Sequence, residues 1–284
     1  APKRHFQLTP RRQRQSSFLL ADAKSARIRA VAKLNQKEAR SETGLFLLEG
    51  TQGLRELLGR PKLAVEVFAT EDAMQRHSEL FERSHAARIP VTEVSASVLK
   101  ALSDTQTPQG IIAVCQQFDV SLQALLDANQ DLNLIAVLSN IRDPGNAGTI
   151  LRAADAAGAD AVIFTSESVD IYNPKVVRST AGSLFHLPVA QGVELSLAIT
   201  ELRNRGLQIF AADATGTPVT DLGPERLAEP TAWLFGNEAW GFRPEQLALA
   251  DQVVSLPIYG SAESLNLATA ASVCLYASAF AQNA

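Results

Sequence analysis

The chain of 284 residues predicts an α/β protein, with a Rossmann-like α/β domain in its second half and a smaller α/β domain in its first. Three observations carry that expectation. Short apolar runs alternate with segments of helical spacing, the pattern of βα units. Gly, Asn and Pro cluster where the later runs end, the place at which an open parallel sheet meets its ligands. The length, with 46% hydrophobic and 20% charged residues, suffices for two domains with substantial cores.

Helical spacing from Ser25 to Leu58 is broken at Thr43-Gly44 by the apolar run Leu45-Phe46-Leu47-Leu48, which predicts helix, strand, helix. The Val-Glu-Val-Phe alternation within 63–69 predicts a strand, and Ile89-Pro90-Val91 opens a short extended piece. The turn-rich run from Leu102 to Gly110 feeds a buried strand over 111–115. A first domain over 1–118, a connector over 119–130 and a second domain over 131–284 follow. The connector's Leu-Gln-Ala-Leu-Leu pattern also suits a helical turn. In the second domain strands are expected at 134–138, 161–165, 185–189, 208–211, 232–235 and 252–256. Helices are expected at 148–158, 174–181, 195–205 and 264–280.

The net charge of −4 conceals an asymmetry: residues 1–40 hold eleven Lys and Arg against Asp22 and Glu38, a local +9, which leaves −13 on the rest. A basic arm on an acidic body suits a polyanion, because each neutralised phosphate releases counterions. The other reading of the arm is a solvated leader. Several classes are disfavoured. No Gly-x-Gly-x-x-Gly or Walker-type phosphate loop is present. Four histidines and two cysteines lack zinc-ligand spacing. The longest apolar stretch, 265–281, is interrupted by Asn266, Thr269, Ser272 and Ser278, so no membrane partner is expected. Without a signal-type opening, a reducing cytoplasm is the expected location.

Three segments hold the candidate chemistry. Asn140-Ile141-Arg142-Asp143-Pro144-Gly145-Asn146-Ala147-Gly148 is a tight polar turn, followed by a helix expected to start near Gly148. Arg152 would then sit one turn in, beside the anion-binding helix N-terminus. An Arg142–Asp143 ion pair with a solvated Arg152 is the plainer alternative. Gly236-Asn237-Glu238-Ala239-Trp240-Gly241 follows a strand: Gly236 permits close approach to a ligand, and Glu238 can hold a hydroxyl or cation, or stand solvated. Leu256-Pro257-Ile258-Tyr259-Gly260 leads to Ser264-Leu265-Asn266, with Ser264 a candidate N-cap and Asn266 in the first turn.

In this order the segments resemble motifs one, two and three of the SpoU (TrmH-type) RNA ribose 2'-O-methyltransferases of the SPOUT superfamily. The patterns Arg40…Gly44…Phe46…Glu49-Gly50 and Ser103-Asp104-Thr105…Thr107-Pro108-Gln109-Gly110 resemble the family's N-terminal RNA-binding domain, itself similar to ribosomal proteins. Ile258 stands where Met is usual, and Leu267-Ala268 replaces Val-Ser; both changes are small in volume.

The resemblance implies methyl transfer from S-adenosylmethionine to a ribose 2'-oxygen, without metal. The expected substrate is 23S ribosomal RNA, ahead of transfer RNA. The role is housekeeping or antibiotic resistance, with a non-catalytic assembly factor as rival. It implies a trefoil knot and a homodimer. Arg152, Asn146, Glu238, Ser264 and Asn266 become catalytic candidates; Ala212, Gly236, Leu256, Ile258 and Leu265 cofactor contacts; Arg40 and Arg142 RNA contacts. The family arginine is often assigned as a base, yet guanidinium holds its proton with a pKa above ~12. Orienting the 2'-OH and stabilising its alkoxide, or gripping the adjacent phosphate, fits Arg152 as well.

Overall fold

Helix caps, β-branched runs and left-handed turns assemble two α/β units in the computed structural model, which describes residues 19–129 and 131–284. One unit comprises 19–118 with Tyr172–Arg178, the other Asp119–Ile171 with Ser179–Ala284. Lys3, Arg4, Arg11, Arg12 and Arg14 of the basic arm lie outside the described residues.

The first unit runs α1 (Ala26–Ala32), α2 (Lys37–Thr43), β1 (Leu45–Glu49), α3 (Gly50–Gly59), β2 (Ala64–Ala69), α4 (Glu71–Arg76), α5 (Ser78–Ala86), β3 (Val91–Glu93), α6 (Ala96–Leu102) and β4 (Ile111–Gln116). Its sheet has the order β1-β4-β2-β3. The Ser25 hydroxyl caps α1, and Gly44, at φ +67°, ends α2 and turns the chain into β1. Ile28, Val31, Leu47, Phe68, Val98, Leu102, Ile112 and Val114 form the core. Two sequence patterns meet at Glu49, where one carboxylate oxygen accepts from the hydroxyls of Ser103 (2.8 Å) and Thr105 (2.7 Å). The Glu49-Gly50 and Ser103–Gly110 patterns are thus two halves of one turn assembly.

The second unit runs α7 (Leu122–Ala128), β5 (Leu134–Leu138), α8 (Pro144–Ala156), β6 (Ala161–Thr165), α9 (Pro174–Ser179, mostly counted with the first unit), β7 (Val189–Val193), α10 (Leu195–Asn204), β8 (Gln208–Pro218), α11 (Pro224–Ala228), β9 (Thr231–Phe235), α12 (Pro244–Leu247), β10 (Gln252–Ser255) and α13 (Leu267–Gln282). The sheet is wholly parallel in the order β10-β8-β9-β5-β6-β7. Its strands β5, β6 and β9 are buried throughout and read as nearly continuous apolar runs because both faces are covered. Chain order reverses between β5 and β9, so the crevice at their carboxyl ends is a topological switch point.

Several expected elements differ, among them the strand expected at 208–211, which runs on to Pro218. The connector takes the helical form that its Leu-Gln-Ala-Leu-Leu pattern suits, α7, and Leu122, Leu125 and Leu126 are buried in the core of the second unit. The strand expected at 185–189 is displaced to Val189–Val193, because Gly182 at φ +106° starts a 3-10 turn over Ser183–Phe185 and Pro188 brings no N–H to a ladder. Helix α8 begins at Pro144, four residues early: proline presets φ at the first helical position, and the Asp143 carboxylate caps the Asn146 N–H at 2.7 Å. Helix α13 begins at Leu267 and is capped by Asn266, not Ser264.

Among the described residues no helix is long and apolar enough to cross a membrane. Both cysteines, Cys115 and Cys274, are free and fully buried, and burial pushes both thiols up, Cys274 to about 12. Since the thiolate is the reactive form, native protein at pH 8 should leave both unmodified by a thiol-specific chromophore, and denaturant should release both. A thiol that reacts in the native protein as fast as a free one would contradict this packing.

Candidate functional site

Parallel pairing places the starts of motifs one and two level with each other. Leu138 of β5 lies opposite Phe235 of β9, and Phe235 lies opposite Ala212 of β8. Ser139-Asn140 and Gly236-Asn237 therefore leave the sheet side by side at the switch point.

Asn140 joins them. It adopts the left-handed conformation at φ +59°, which asparagine tolerates better than most residues. Its N–H donates to Thr165 Oγ1 (3.0 Å), its Nδ2 to Glu167 Oε2 (2.5 Å), and its carbonyl accepts from Asn237 Nδ2 (2.7 Å). The motif-two tip is closed by reciprocal backbone bonds between Asn237 and Gly241, both 2.9 Å, and by Asn237 Oδ1 accepting from the Ala239 N–H at 2.8 Å. A methyl group on Gly236 would lie 2.7 Å from the Gly241 carbonyl. Its missing side chain therefore serves this backbone closure, where a ligand's approach was expected.

From the tip, the Glu238 carboxylate reaches back to motif one and accepts from the N–H groups of Arg142 (3.2 Å) and Asp143 (3.0 Å). Motif three joins from the other side. Asn266 Oδ1 caps α13 through the N–H groups of Ala268 (2.9 Å) and Thr269 (3.3 Å), while its Nδ2 donates to Asn146 Oδ1 at 3.1 Å. Segments up to 120 positions apart are thus tied by side chains.

Arg152 lies in the third turn of α8, exposed, and its guanidinium has no ion pair or hydrogen bond among the described residues. Helical geometry sets Gly148 and Gly145 one and two turns behind it on the same stripe. No side chain on that row separates the guanidinium from the first turn of the helix, which begins at Pro144. Ser264 is exposed and makes no hydrogen bond among the described residues. Leu256 is half-buried, whereas Ile258 and Leu265 are 38% and 41% exposed. Among the described residues the backbone groups of 258–265 form no hydrogen bond within the chain, so this loop offers free donors and acceptors beside apolar side chains.

One candidate moves elsewhere. Arg40 is 2% exposed in the first unit, and its Nη1 donates to the Leu34 carbonyl at 3.0 Å. Buried guanidinium is held in place by such bonds, so Arg40 serves the interior instead of a phosphate. Exposed basic side chains nearby belong to Lys24, Arg29, Lys33 and Lys37. Asn140 and Asn237 carry structural roles that residue type alone did not assign; the signal available was asparagine directly after two apolar strand runs, where positive φ or an Asx turn is common.

Asn266→Ala should cost about 1 kcal/mol of stability through the lost cap and should also release Asn146. Asn266→Asp retains the cap acceptor but cannot donate to Asn146. A thermal melt that spares Asn266→Asp, together with reduced turnover in both variants, would separate the two roles; full turnover in Asn266→Asp would remove the Asn146 bond from the site.

The chain is similar to known proteins over both of its units. The SpoU rRNA Methylase family profile matches residues 133–276, and an MRM3-like substrate binding domain profile matches 25–113. The 23S rRNA (guanosine(2553)-2'-O)-methyltransferase of Bacillus subtilis is 33% identical over 258 residues, spanning 90% of this chain and 97% of that protein. The AdoMet-bound rRNA methyltransferase of Sinorhizobium meliloti superimposes with a TM-score of 0.79 at 27% identity, covering 92% of this chain and 97% of that one. The SpoU methyltransferase AviRb of Streptomyces viridochromogenes, in complex with the cofactor AdoMet, gives a TM-score of 0.77 at 27% identity over 90% of this chain and 98% of its own.

Proposed function

The chain belongs to the SpoU rRNA Methylase family, and from that premise we propose that it transfers a methyl group from S-adenosylmethionine to the 2'-oxygen of one ribose in 23S ribosomal RNA. The observation that carries the reading is the convergence of all three motifs: Glu238 holds the motif-one backbone, Asn266 holds Asn146, and Arg152 projects unpaired from the helix they fix.

The loop from Leu256 to Leu265 fits the cofactor. A purine presents hydrogen-bonding edges and apolar faces, and this loop offers free backbone groups beside Ile258 and Leu265. Ala212 lies within β8 opposite Phe235, the last residue of β9, and Gly236 follows Phe235 directly. When bound, the cofactor supplies an electrophilic methyl on a sulfonium. The chain's own contribution is placement and charge. Arg152 keeps its proton and turns its N–H groups to the 2'-oxygen, stabilising the negative charge that develops there as the hydroxyl proton passes to water and the oxygen takes the methyl, leaving the sulfonium as a neutral thioether. Glu238, Asn146 and Asn266 act through that placement, each holding the loop or helix that carries the reacting groups. Ser264 offers a free hydroxyl beside them, and Arg142 an exposed cation for the RNA backbone.

The first unit, through Lys24, Arg29, Lys33 and Lys37, supplies salt-sensitive phosphate contacts. Val273 and Phe280, exposed on α13, support a homodimer through that helix. The trefoil knot and a cytoplasmic location, suited to two free cysteines, belong to the same reading, as does the division near residue 118.

Incubation of the protein with methyl-labelled S-adenosylmethionine and unmodified 23S ribosomal RNA, with mapping of alkali-resistant linkages, tests it. One methylated ribose is the expected result. Absence of label from ribosomal and transfer RNA alike would overturn the enzymatic reading, and label in transfer RNA alone would overturn the substrate.

A further inference from the structure

We propose that Trp240, with Arg142 against its ring, is a stacking platform for an unpaired base of the RNA substrate. The inference rests on the RNA-methylating reading above and adds a base-contacting subsite to it.

Trp240 is 48% exposed at the tip of motif two, and the Arg142 guanidinium lies 5.3 Å from its ring centroid. A solvent-facing tryptophan is costly unless something covers it, and the sequence has only one other, Trp233, which is fully buried with its indole N–H on Ser278 Oγ at 3.0 Å. The platform is held from both sides. Reciprocal Asn237–Gly241 bonds close the three-residue tip, Gly241 takes φ +65°, and Asn237 Oδ1 fixes the Ala239 N–H. On the Arg142 side, Glu238 binds the Arg142 N–H itself. The same carboxylate thus sets the position of the cation relative to the ring.

Such a pair suits one ligand chemistry. An aromatic face and a guanidinium plane both stack on unpaired nucleobases, and the positive charge is complementary to the adjoining phosphates. A paired helix hides its base faces, so the platform selects a flipped or looped base. Because the tip is bonded before RNA arrives, little ordering entropy opposes stacking. Its link to the motif-one backbone places the base contact at the reaction centre, where it would orient the nucleotide carrying the reactive ribose or its neighbour.

The two tryptophans make the test direct. Trp233 is shielded, so quenching of emission by iodide reports Trp240. Full-length protein is titrated with a single-stranded RNA of about 12 nucleotides, and with the same RNA annealed to its complement. Single-stranded RNA should quench Trp240 emission and protect it from iodide, and the duplex should do so far less. Trp240→Ala should weaken single-strand affinity by roughly 5- to 100-fold, raise KM for ribosomal RNA, and leave cofactor affinity unchanged; Trp240→Phe should restore most of the loss.

Unaltered single-strand affinity in Trp240→Ala, or RNA binding that leaves iodide access to Trp240 unchanged, would overturn the platform. So would a Trp240 already shielded from iodide without RNA, which would assign the ring to a protein interface. Methyl transfer by the wild-type enzyme, measured in parallel, separates the two failures: transfer with a silent Trp240 removes only the platform, and its absence removes the function on which the platform depends.

Discussion

Arg152→Ala should lose at least about 100-fold in methyl transfer while its melting temperature stays near that of the wild type. The exposed guanidinium has no partner among the described residues, so its removal breaks no hydrogen bond or ion pair within the fold. Alanine is also the best helix former for the third turn of α8. Cofactor affinity should stay within about tenfold, an energy of ~1.4 kcal/mol, because the loop assigned to the cofactor lies in motif three. Arg152→Lys should recover little, since an ammonium cannot reproduce the planar fork that orients an oxygen. Calorimetry with S-adenosylmethionine, beside single-turnover transfer to ribosomal RNA, reads both quantities. Collapse of cofactor binding in Arg152→Ala would place the arginine at the cofactor and refute its role at the 2'-oxygen.

Gly236→Ala should lower stability as well as activity, and this separates two explanations of the glycine. If the missing side chain only made room for the cofactor, alanine would weaken cofactor binding and leave the melt unchanged. In the structure the added methyl meets the Gly241 carbonyl at 2.7 Å and the Phe242 ring at 2.9 Å. Backbone atoms cannot swing aside, so the Asn237–Gly241 bonds must lengthen or break. Overpacking of this kind costs about 1–3 kcal/mol, or roughly 2–10 °C in a chain of this size. Turnover should fall further, because Glu238 moves with the tip and releases the N–H groups of Arg142 and Asp143. Scanning calorimetry of Gly236→Ala settles the choice: an unchanged melting temperature with weakened cofactor binding would restore the ligand-approach explanation.

Much of the fold was legible because parallel strands buried on both faces are written as local apolar runs. The strands at Leu134–Leu138 and Ala161–Thr165 coincide with their expected bounds. Helix starts were read less well, since capping is a competition among nearby polar groups. Asp143 prevailed through Pro144, and Asn266 prevailed over Ser264, each two to four residues from the expected position. The connector's Leu-Gln-Ala-Leu-Leu pattern suited a helical turn, which is α7, but that Leu122, Leu125 and Leu126 join the core shows only once the sheet is there to bury them.

By itself the sequence determined the class of fold, the order of the three motifs and the residue types able to do the chemistry, because strand runs, turn residues and motif spacing are short-range properties. Only the tertiary structure decided what each residue does with its neighbours. It turned Gly236 into a seat for Gly241, placed Arg40 inside, made Asn266 both a cap and a tie to Asn146, and set Arg142 against Trp240. The Asn266–Asn146 and Arg142–Trp240 contacts join segments brought together by a parallel sheet whose order differs from that of the chain. In those two contacts the partners lie 120 and 98 positions apart, beyond the reach of any local pattern.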